Sequence, residues 1–493
     1  MAERRPNILL LVTDHQLHYR HGWDGGQGPL TPFRDAFARQ GRTFHRAYAV
    51  TPLCGPARRS LVCGEYPHTH RNFHNQSETD FTKPTYLQLL DQAGYTTYAF
   101  GKWHAGPKNA VLMGAKGFSP SGYGNPYTSE AYAAYCKELG IAEASHTIDT
   151  KFWNADTARH FPDLYEGNTD YRCRGSWCGE TAFGTTNTDK RSHECFFLAH
   201  LAHEALKTQA KQAEQPFHMR IDFWGPHQPY FPTQEFIDRY NPSDILEYGS
   251  FRDNLENKPF IYRRMNQPIA DESGELLRPS IFSWERWQHL LAIAYAQTTM
   301  IDEAIGTILA TLEEVGLADD TLVIWTSDHG DALASHGGMF DKGSFMTEET
   351  VRIPLLLRWP NRIVAGSHSQ QLVNTLDIMP TILEAAGLQK DDELFGSSLL
   401  GLPQETQRSC ILLESYGQGF RDTKRSRTLV TQRYKYTRNE DDMDELYDLE
   451  LDPYELCNRS GDASLKQGLS DLLYAQLVAT NDPQRSLFYP ERR

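Results

Sequence analysis

Residues 8–12 form a nearly continuous apolar run that stops at Thr13-Asp14-His15. An apolar run without alternation predicts a strand buried on both faces, as in a parallel sheet, with polar residues delivered at its C-terminal end. The pattern returns three times. Residues 95–100 end in Gly101-Lys102-Trp103-His104, residues 217–223 lead into Trp224-Gly225-Pro226-His227, and residues 321–326 end in Ser327-Asp328-His329-Gly330. Between these runs the apolar spacing becomes helical. Helices are expected over 31–40 (Thr31 as cap, Pro32 at the first position, Gly41 as stop), 85–93, 200–213, 284–315 and 376–386. Residues 348–357 lead into one further strand.

Alternating strands and helices through the first 390 residues or so predict an α/β fold with a doubly wound, mostly parallel sheet flanked by helices. In open sheets of this kind ligands bind at the C-terminal edge of the strands. From about residue 404 the character changes: short strand-like runs at 410–413, 427–432 and 434–437 precede an acidic turn and an amphipathic helix over 464–480. That order predicts a smaller C-terminal antiparallel sheet plus helix. The expected units are therefore 1–403 and 404–493. Residues 105–215, rich in Gly, Asn, Tyr and Thr, are expected to form an insertion shaping a substrate pocket, and 240–284 irregular surface chain.

Composition narrows the function. The 493 residues carry 49 basic and 64 acidic side chains, a formal charge of −15, which argues against a nucleic-acid or anionic-membrane partner. An anionic substrate would need a local cluster of cations. No apolar stretch is long enough to span a membrane, and 8–12 is too short for a signal core, so the chain as written reads as cytoplasmic. Eight cysteines are too few for a disulfide scaffold. Cys173, Cys178, His193 and Cys195 have irregular spacing and read as reduced or loop residues in preference to zinc ligands. The tail 485–493, with Leu487, Phe488 and Tyr489, is a candidate contact in a homo-oligomer.

Candidate chemistry gathers at the strand ends and at one cysteine. Cys54 follows Pro52-Leu53 and precedes Gly55-Pro56, so a helix can begin there, where its positive end favours an anion or a thiolate. Arg58 can fold back along the first turn towards it. Asp14 and His15 are metal-competent, as are Asp328 and His329. Lys102 and His104 share one side of an extended chain, and His227 is held stiffly near two prolines. The loop with His70, Asn72, His74 and Asn75 follows Cys54 and offers substrate contacts. A single histidine is more often a core residue, but three strands ending in Asp-His, Lys-x-His and Asp-His are hard to explain that way.

The pattern Cys54-Gly55-Pro56-Ala57-Arg58, continued by Arg59-Ser60-Leu61-Val62-Cys63-Gly64, resembles the signature of the type I sulfatases of the alkaline-phosphatase-like superfamily. The Asp14 strand, Gly-Lys102-Trp-His104, Pro-His227-x-Pro, Asp328-His329-Gly, Asp341-Lys342-Gly343 before Glu349-x-x-Arg352-x-Pro354, and Leu446-Tyr447-Asp448-Leu449 extend the likeness over nearly the whole chain. The resemblance implies hydrolysis of a sugar or small-molecule sulfate ester. Cys54 would be oxidised to formylglycine by a formylglycine-generating enzyme, and the aldehyde hydrate would be the nucleophile. Asp14, His15, Asp328, His329 and residue 54 would hold one divalent cation. Arg58 would hold the hydrate, Lys102 and Lys342 the ester oxygens, and Lys342 or His227 the leaving alcohol. His104 would take the proton from the second hydroxyl. The ion expected is Ca²⁺. Many sulfatases, however, carry Asp-Asp and Asp-Asn where this chain has Asp-His twice, and imidazole shifts preference towards Mn²⁺. Phosphonate monoester and phosphodiester hydrolases, which use the same formylglycine, are the alternative.

Overall fold

A computed structural model describes residues 5–18, 28–151, 161–174, 181–212, 214–265, 269–270, 276–278, 282–389, 394–401, 408–418 and 423–489. Its main sheet comprises β1 (Asn7–Thr13), β2 (Arg42–Phe44), β3 (Thr96–Gly101), β4 (Lys116–Phe118), β5 (Phe217–Asp222), β6 (Thr321–Ser327), β7 (Leu355–Arg358) and β8 (Ser367–Ser369). The eight strands are ordered β8-β2-β7-β6-β1-β5-β3-β4. Strands β6, β1, β5, β3 and β4 run parallel, whereas β7 pairs antiparallel with both β6 and β2.

The unbroken apolar runs follow from burial on both faces. In β1, Leu9 and Leu11 join one core with Val323 and Trp325 of β6, while Ile8, Leu10 and Val12 join the opposite core with Leu322 and Ile324. Each such side chain stabilises the fold by about 1.5–3 kcal/mol. Helices cover both faces: α1 (Pro32–Gln40), α2 (Cys54–Cys63), α3 (Glu194–Ala210), α4 (Trp284–Glu314) and α5 (Ile378–Ala385). Thr31 makes no side-chain cap to α1. The Asp302 carboxylate of α4 instead accepts the Phe33 and Arg34 N–H groups, each at 2.9 Å, so a tertiary contact replaces the local one.

The C-terminal sheet is β9 (Cys410–Ser415), β10 (Ser426–Thr431), β11 (Tyr434–Asn439) and β12 (Glu445–Asp448), antiparallel throughout. Helix α6 (Ala463–Ala479) buries Leu469, Leu473 and Leu477 against Leu412, Leu429 and Leu446. Val50, Tyr66 and Leu376 belong to the same cluster and tie this sheet to the main body.

The structure gives detail to three stretches that the sequence leaves coarse. The stretch 105–215 supplies the sheet-edge strand β4, a helix over Glu130–Leu139, a hairpin of His146–Lys151 with Ala182–Thr186, and α3. The stretch 240–284 is not simply surface, because Ile261 and Tyr262 are buried with Met339 and Phe345 under the loop after β6. Within 485–489, Phe488 is buried and Tyr489 packs on Tyr474, while Leu487 is exposed. Among the described residues no helix is long and apolar enough to cross a membrane.

Candidate active site

The C-terminal ends of β1, β3, β5 and β6 are knitted by backbone hydrogen bonds. The Phe223 N–H donates to Val12 O at 2.9 Å, Asp14 N–H to Gly225 O at 3.1 Å, Lys102 N–H to Asp222 O at 3.0 Å and Asp328 N–H to Thr13 O at 3.2 Å. Gly101 (φ 98°) permits this approach, since a Cβ there would lie 2.0 Å from Asp222 O. The strand ends therefore present Asp14, Lys102, Asp222 and Asp328 towards the N-terminus of α2, where Cys54 is the first residue.

Asp14, Cys54, Asp328 and His329 form one group whose ligand atoms all lie within 4.8 Å of one another. His329 donates Nδ1–H to Gly330 O at 2.8 Å, which leaves the Nε2 lone pair facing Cys54 Sγ at 3.0 Å. Asp328 Oδ1 accepts the backbone N–H of His15 and of His329 at 3.0 and 2.9 Å. Burial opposes ionisation of Asp328, but His329, Arg58 and Lys102 outweigh it and hold the carboxyl well below its usual range. Asp14 is pushed up to about 8 by burial and by the Asp328 charge. Its Oδ2 accepts the Lys102 ammonium, while Oδ1 is buried without a hydrogen-bond partner.

Arg58 is the cationic strut. Its Nε–H donates to Asp328 Oδ2 at 2.8 Å, and its Nη1 donates to Asp222 Oδ1 at 2.9 Å and Lys102 O at 3.1 Å. Nη2 lies 3.8 Å from Asp14 Oδ1 and makes no hydrogen bond. Asp222 also takes two donors from the buried Arg220. Lys102 Nζ stands 3.9 Å from the centre of the Tyr123 ring. Asp222 and Tyr123 carry no motif in the sequence. An Asp inside an apolar strand was the one available signal for the first, and nothing marked the second.

His104 holds a left-handed backbone (φ 45°), stabilised by its N–H on Gly122 O at 3.1 Å. Its Nε2–H donates to Asn75 O at 3.1 Å, so Nδ1 keeps a lone pair, buried and without a hydrogen-bond partner. Burial, then Lys102 and Arg58, hold this imidazole well below its usual pKa, which keeps it neutral. His227 donates Nδ1–H to Gln228 O at 2.7 Å, and Nε2 accepts the Lys342 ammonium at 3.0 Å. Lys342 also donates to Asp341 Oδ1 at 3.1 Å.

The expected residues are not all equivalent. His15, at φ 67°, stands with His227 and Asp341 in a neighbouring cluster, and its ring centre lies 4.8 Å from that of His329 in the Asp14 group. In the loop after α2, His70 uses both nitrogens internally, on Ser60 Oγ at 2.9 Å and the Asn72 N–H at 3.1 Å, and Asn72 is buried with it. His70 is therefore braced inside the fold, whereas the Asn72 Oδ1 is buried without a hydrogen-bond partner. Asn75 Oδ1 accepts the Gly55 N–H at 2.9 Å, and His74 O lies beside Gly55, so these two border the start of α2. His193 Nδ1 sits 3.2 Å from Cys195 Sγ at the start of α3; Cys178 lies outside the described residues.

Comparisons with known proteins give the family and the fold. A family profile described as Sulfatase matches residues 6–388, and one described as N-sulphoglucosamine sulphohydrolase, C-terminal, matches 335–482. An N-acetylglucosamine-6-O-sulfatase of Bacteroides thetaiotaomicron is 25% identical over 99% of this chain and 90% of its own length. A choline-sulfatase of Rhizobium meliloti is 28% identical over 93% and 83% respectively. Among solved structures, a protein captured with its substrate D-glucosamine-2-N,6-O-disulfate has the same fold, with a TM-score of 0.74, 24% identity and coverage of 99% of this chain and 100% of that one. The phosphonate monoester hydrolase of Agrobacterium radiobacter also shares it, with a TM-score of 0.75, 22% identity and coverage of 97% and 96%.

Proposed function

The chain belongs to the sulfatase family, and from that premise we propose that it hydrolyses a sulfate monoester of a saccharide or small alcohol, using residue 54 as formylglycine beside one divalent cation. The observation that carries this reading is a set of buried polar atoms without hydrogen-bond partners on residues of the strand-end cluster: Asp14 Oδ1, Arg58 Nη2 and, on the residue whose imidazole feels Lys102 and Arg58, His104 Nδ1. Buried polar groups are nearly always satisfied, and these three are an acceptor, a cationic donor and a base.

The donor set suits a dication. Two buried carboxylates face each other, and the cost of ionising both, visible in the raised Asp14, is what a dication relieves. His329 Nε2 and residue 54 complete the group. An imidazole among the donors weighs the choice towards Mn²⁺, away from the Ca²⁺ expected of the family. When bound, the cation lowers the pKa of a hydroxyl that the formylglycine hydrate supplies.

The remaining roles belong to the chain's own side chains. Arg58 Nη2 orients residue 54, and Lys102 faces the ester oxygens. Lys342 and His227 share a hydrogen bond and supply the proton for the departing alcohol. His104, neutral with a free Nδ1, takes a proton from residue 54 as sulfate departs. These cations give the local attraction that a chain of charge −15 lacks overall. Because Cys54 is fully buried, the formylglycine-generating enzyme must meet it before the chain folds.

The names of the relatives point to sulfated amino sugars and choline sulfate as the substrates to try first. A second reading, phosphonate monoester or phosphodiester hydrolysis, draws on the His329 imidazole in the donor set. The test is a panel of sulfated sugars, choline sulfate, an aryl sulfate and phenyl phosphonate, run with Mn²⁺ and with Ca²⁺. A sulfate preference above about a hundredfold, near 3 kcal/mol, supports the first reading. The reverse preference supports the second.

A further inference from the structure

The loop that leaves β6 carries Asp331, Asp341 and Lys342, and its backbone is strained. Leu333, Ala334, His336 and Asp341 hold positive φ, at 27°, 73°, 45° and 67°. Each such residue costs about 1–3 kcal/mol and persists only where its surroundings over-determine it. Two backbone bonds close a turn around His336: the Ala334 N–H donates to Met339 O and the Met339 N–H to Ser335 O, both at 2.8 Å. Met339 is buried with Phe345, Ile261 and Tyr262.

The His336 side chain is fully buried in this turn, and both its nitrogens meet carboxylates. Nδ1 lies 3.1 Å from Asp253 Oδ2, and Nε2 lies 3.2 Å from Glu349 Oε2. Ionised carboxylates only accept, so both nitrogens carry hydrogen and the ring is an imidazolium. Burial and Lys258 oppose that charge, but Glu349 and Asp253 outweigh them and raise the pKa above 6.5. The other charges nearby have partners of their own. Lys258 donates to the Tyr447 hydroxyl at 2.9 Å and to Glu455 O at 2.5 Å, and the Glu455 carboxylate takes Lys435 at 2.5 Å. Tyr262 presents a ring whose centre is 6.4 Å away. Glu349 also accepts the Asp331 N–H on its backbone carbonyl at 3.0 Å, so one residue grips the loop twice.

We propose that His336, as an imidazolium, is a positioning residue for the departing alcohol: its bridge from Asp253 to Glu349 fixes the loop that brings Lys342 to His227. The proposal rests on the ester-hydrolysis reading above, through the role given there to Lys342. Loss of one ring proton sets a nitrogen lone pair against a carboxylate, and a buried attraction becomes a repulsion. The bridge opens on that side, the strained turn relaxes, and Lys342 moves off His227 Nε2, which it meets at 3.0 Å. A group with a raised folded pKa gives its stabilisation below that value and loses it as pH rises through it, so the effect falls on the alkaline side. Burial opposes the Lys342 charge, but Asp341, Cys54 and Asp14 outweigh it, so that ammonium persists through the same range.

The test measures kcat on phenyl sulfate from neutral to alkaline pH with converted, metal-loaded protein. Ring-nitrogen NMR of labelled histidine, with the His336 signals assigned from His336→Gln, follows the proton itself. In the wild type kcat should fall along an alkaline limb that coincides with loss of the His336 ring proton. Glu349→Gln removes one of the two carboxylate charges and should move limb and ring titration together to lower pH by about one unit. His336→Gln should lower kcat about tenfold at neutral pH and show no such limb. A ring that is neutral at neutral pH, or a limb that stays in place in both variants, overturns the proposal. If circular dichroism shows His336→Gln unfolded, Glu349→Gln alone decides. Wild-type protein that turns over no ester of the panel contradicts the ester reading instead, and the ring spectra then decide whether the bridge exists.

Discussion

Cys54 and His329, 275 positions apart in the chain, place Sγ and Nε2 3.0 Å from each other with both side chains buried. The thiol hydrogen points at an imidazole whose other nitrogen is tied to Gly330 O. Replacing Cys54 with Ala should lower the rate on any sulfate ester by at least about a thousandfold, as removal of a nucleophile does elsewhere. His329→Ala should lose activity together with the bound dication. Steady-state rates and metal content on the same preparations check both.

Arg58 joins the carboxylates of Asp328 and Asp222 from inside the fold. Arg58→Ala leaves buried negative charge exposed to no compensating cation on that side, so stability should fall by about 3 kcal/mol and activity should vanish. Arg58→Lys should recover part of the stability but little of the rate, because one ammonium cannot span both carboxylates. Denaturant midpoints and kcat separate the two effects.

His104 acts as a base only when neutral. Its pKa is lowered well below 6.5 by burial and by Lys102 and Arg58, so the neutral form persists as pH falls past 6.5. The acid limb of kcat should therefore lie below pH 6.5, and His104→Gln should lower kcat by about a hundredfold or more. A pH profile with an acid limb at or above 6.5 contradicts this role.

His68 links the two sheets. Its Nδ1 meets Glu414 of β9 and its Nε2–H donates to Thr480 O at 2.9 Å. Burial opposes protonation, but Glu414 and the Thr480 carbonyl outweigh it and raise the pKa above 6.5. A raised folded pKa gives stability that is complete below pH 6.5 and is lost as pH rises through the folded value. The wild type should lose stability across that rise, and His68→Asn should show a flat profile. Urea unfolding at a series of pH values measures it.

Chelation should destabilise the protein by about 2.7 kcal/mol if the dication is supplied at a hundred times its dissociation constant. Mn²⁺ should restore more of the loss than Ca²⁺. Asp14→Asn should show a much smaller response to either. Thermal unfolding with and without each ion reads the difference.

Much of this geometry was legible in the chain. Continuous apolar runs this short, closed by Gly or by polar residues, read as strands buried on both faces, and that reading puts Asp14, Lys102 and Asp328 at one sheet edge. The likeness around Cys54 supplied the roles. What escaped was set by tertiary contact. Asp222 is an acid inside an apolar strand, and its meaning depends on Arg58 and Arg220 arriving from other elements. Tyr123 comes from a loop with no periodicity. His15 follows Asp14 directly, yet a left-handed backbone at φ 67° sets its ring between His329 and His227, and no spacing rule shows that step. His70 looked like part of an open polar loop because its partner Ser60 comes from α2 and meets it only in the folded chain.

The central claim is that residue 54, converted and held beside Asp14, Asp328 and His329, hydrolyses sulfate esters. Its most direct test is the initial rate on an aryl sulfate across preparations whose converted fraction at Cys54 is known from peptide mass. The rate should rise in proportion to that fraction, reach zero in unconverted protein, and exceed the rate on phenyl phosphonate by more than about a hundredfold. Equal sulfate turnover by converted and unconverted protein would contradict the account.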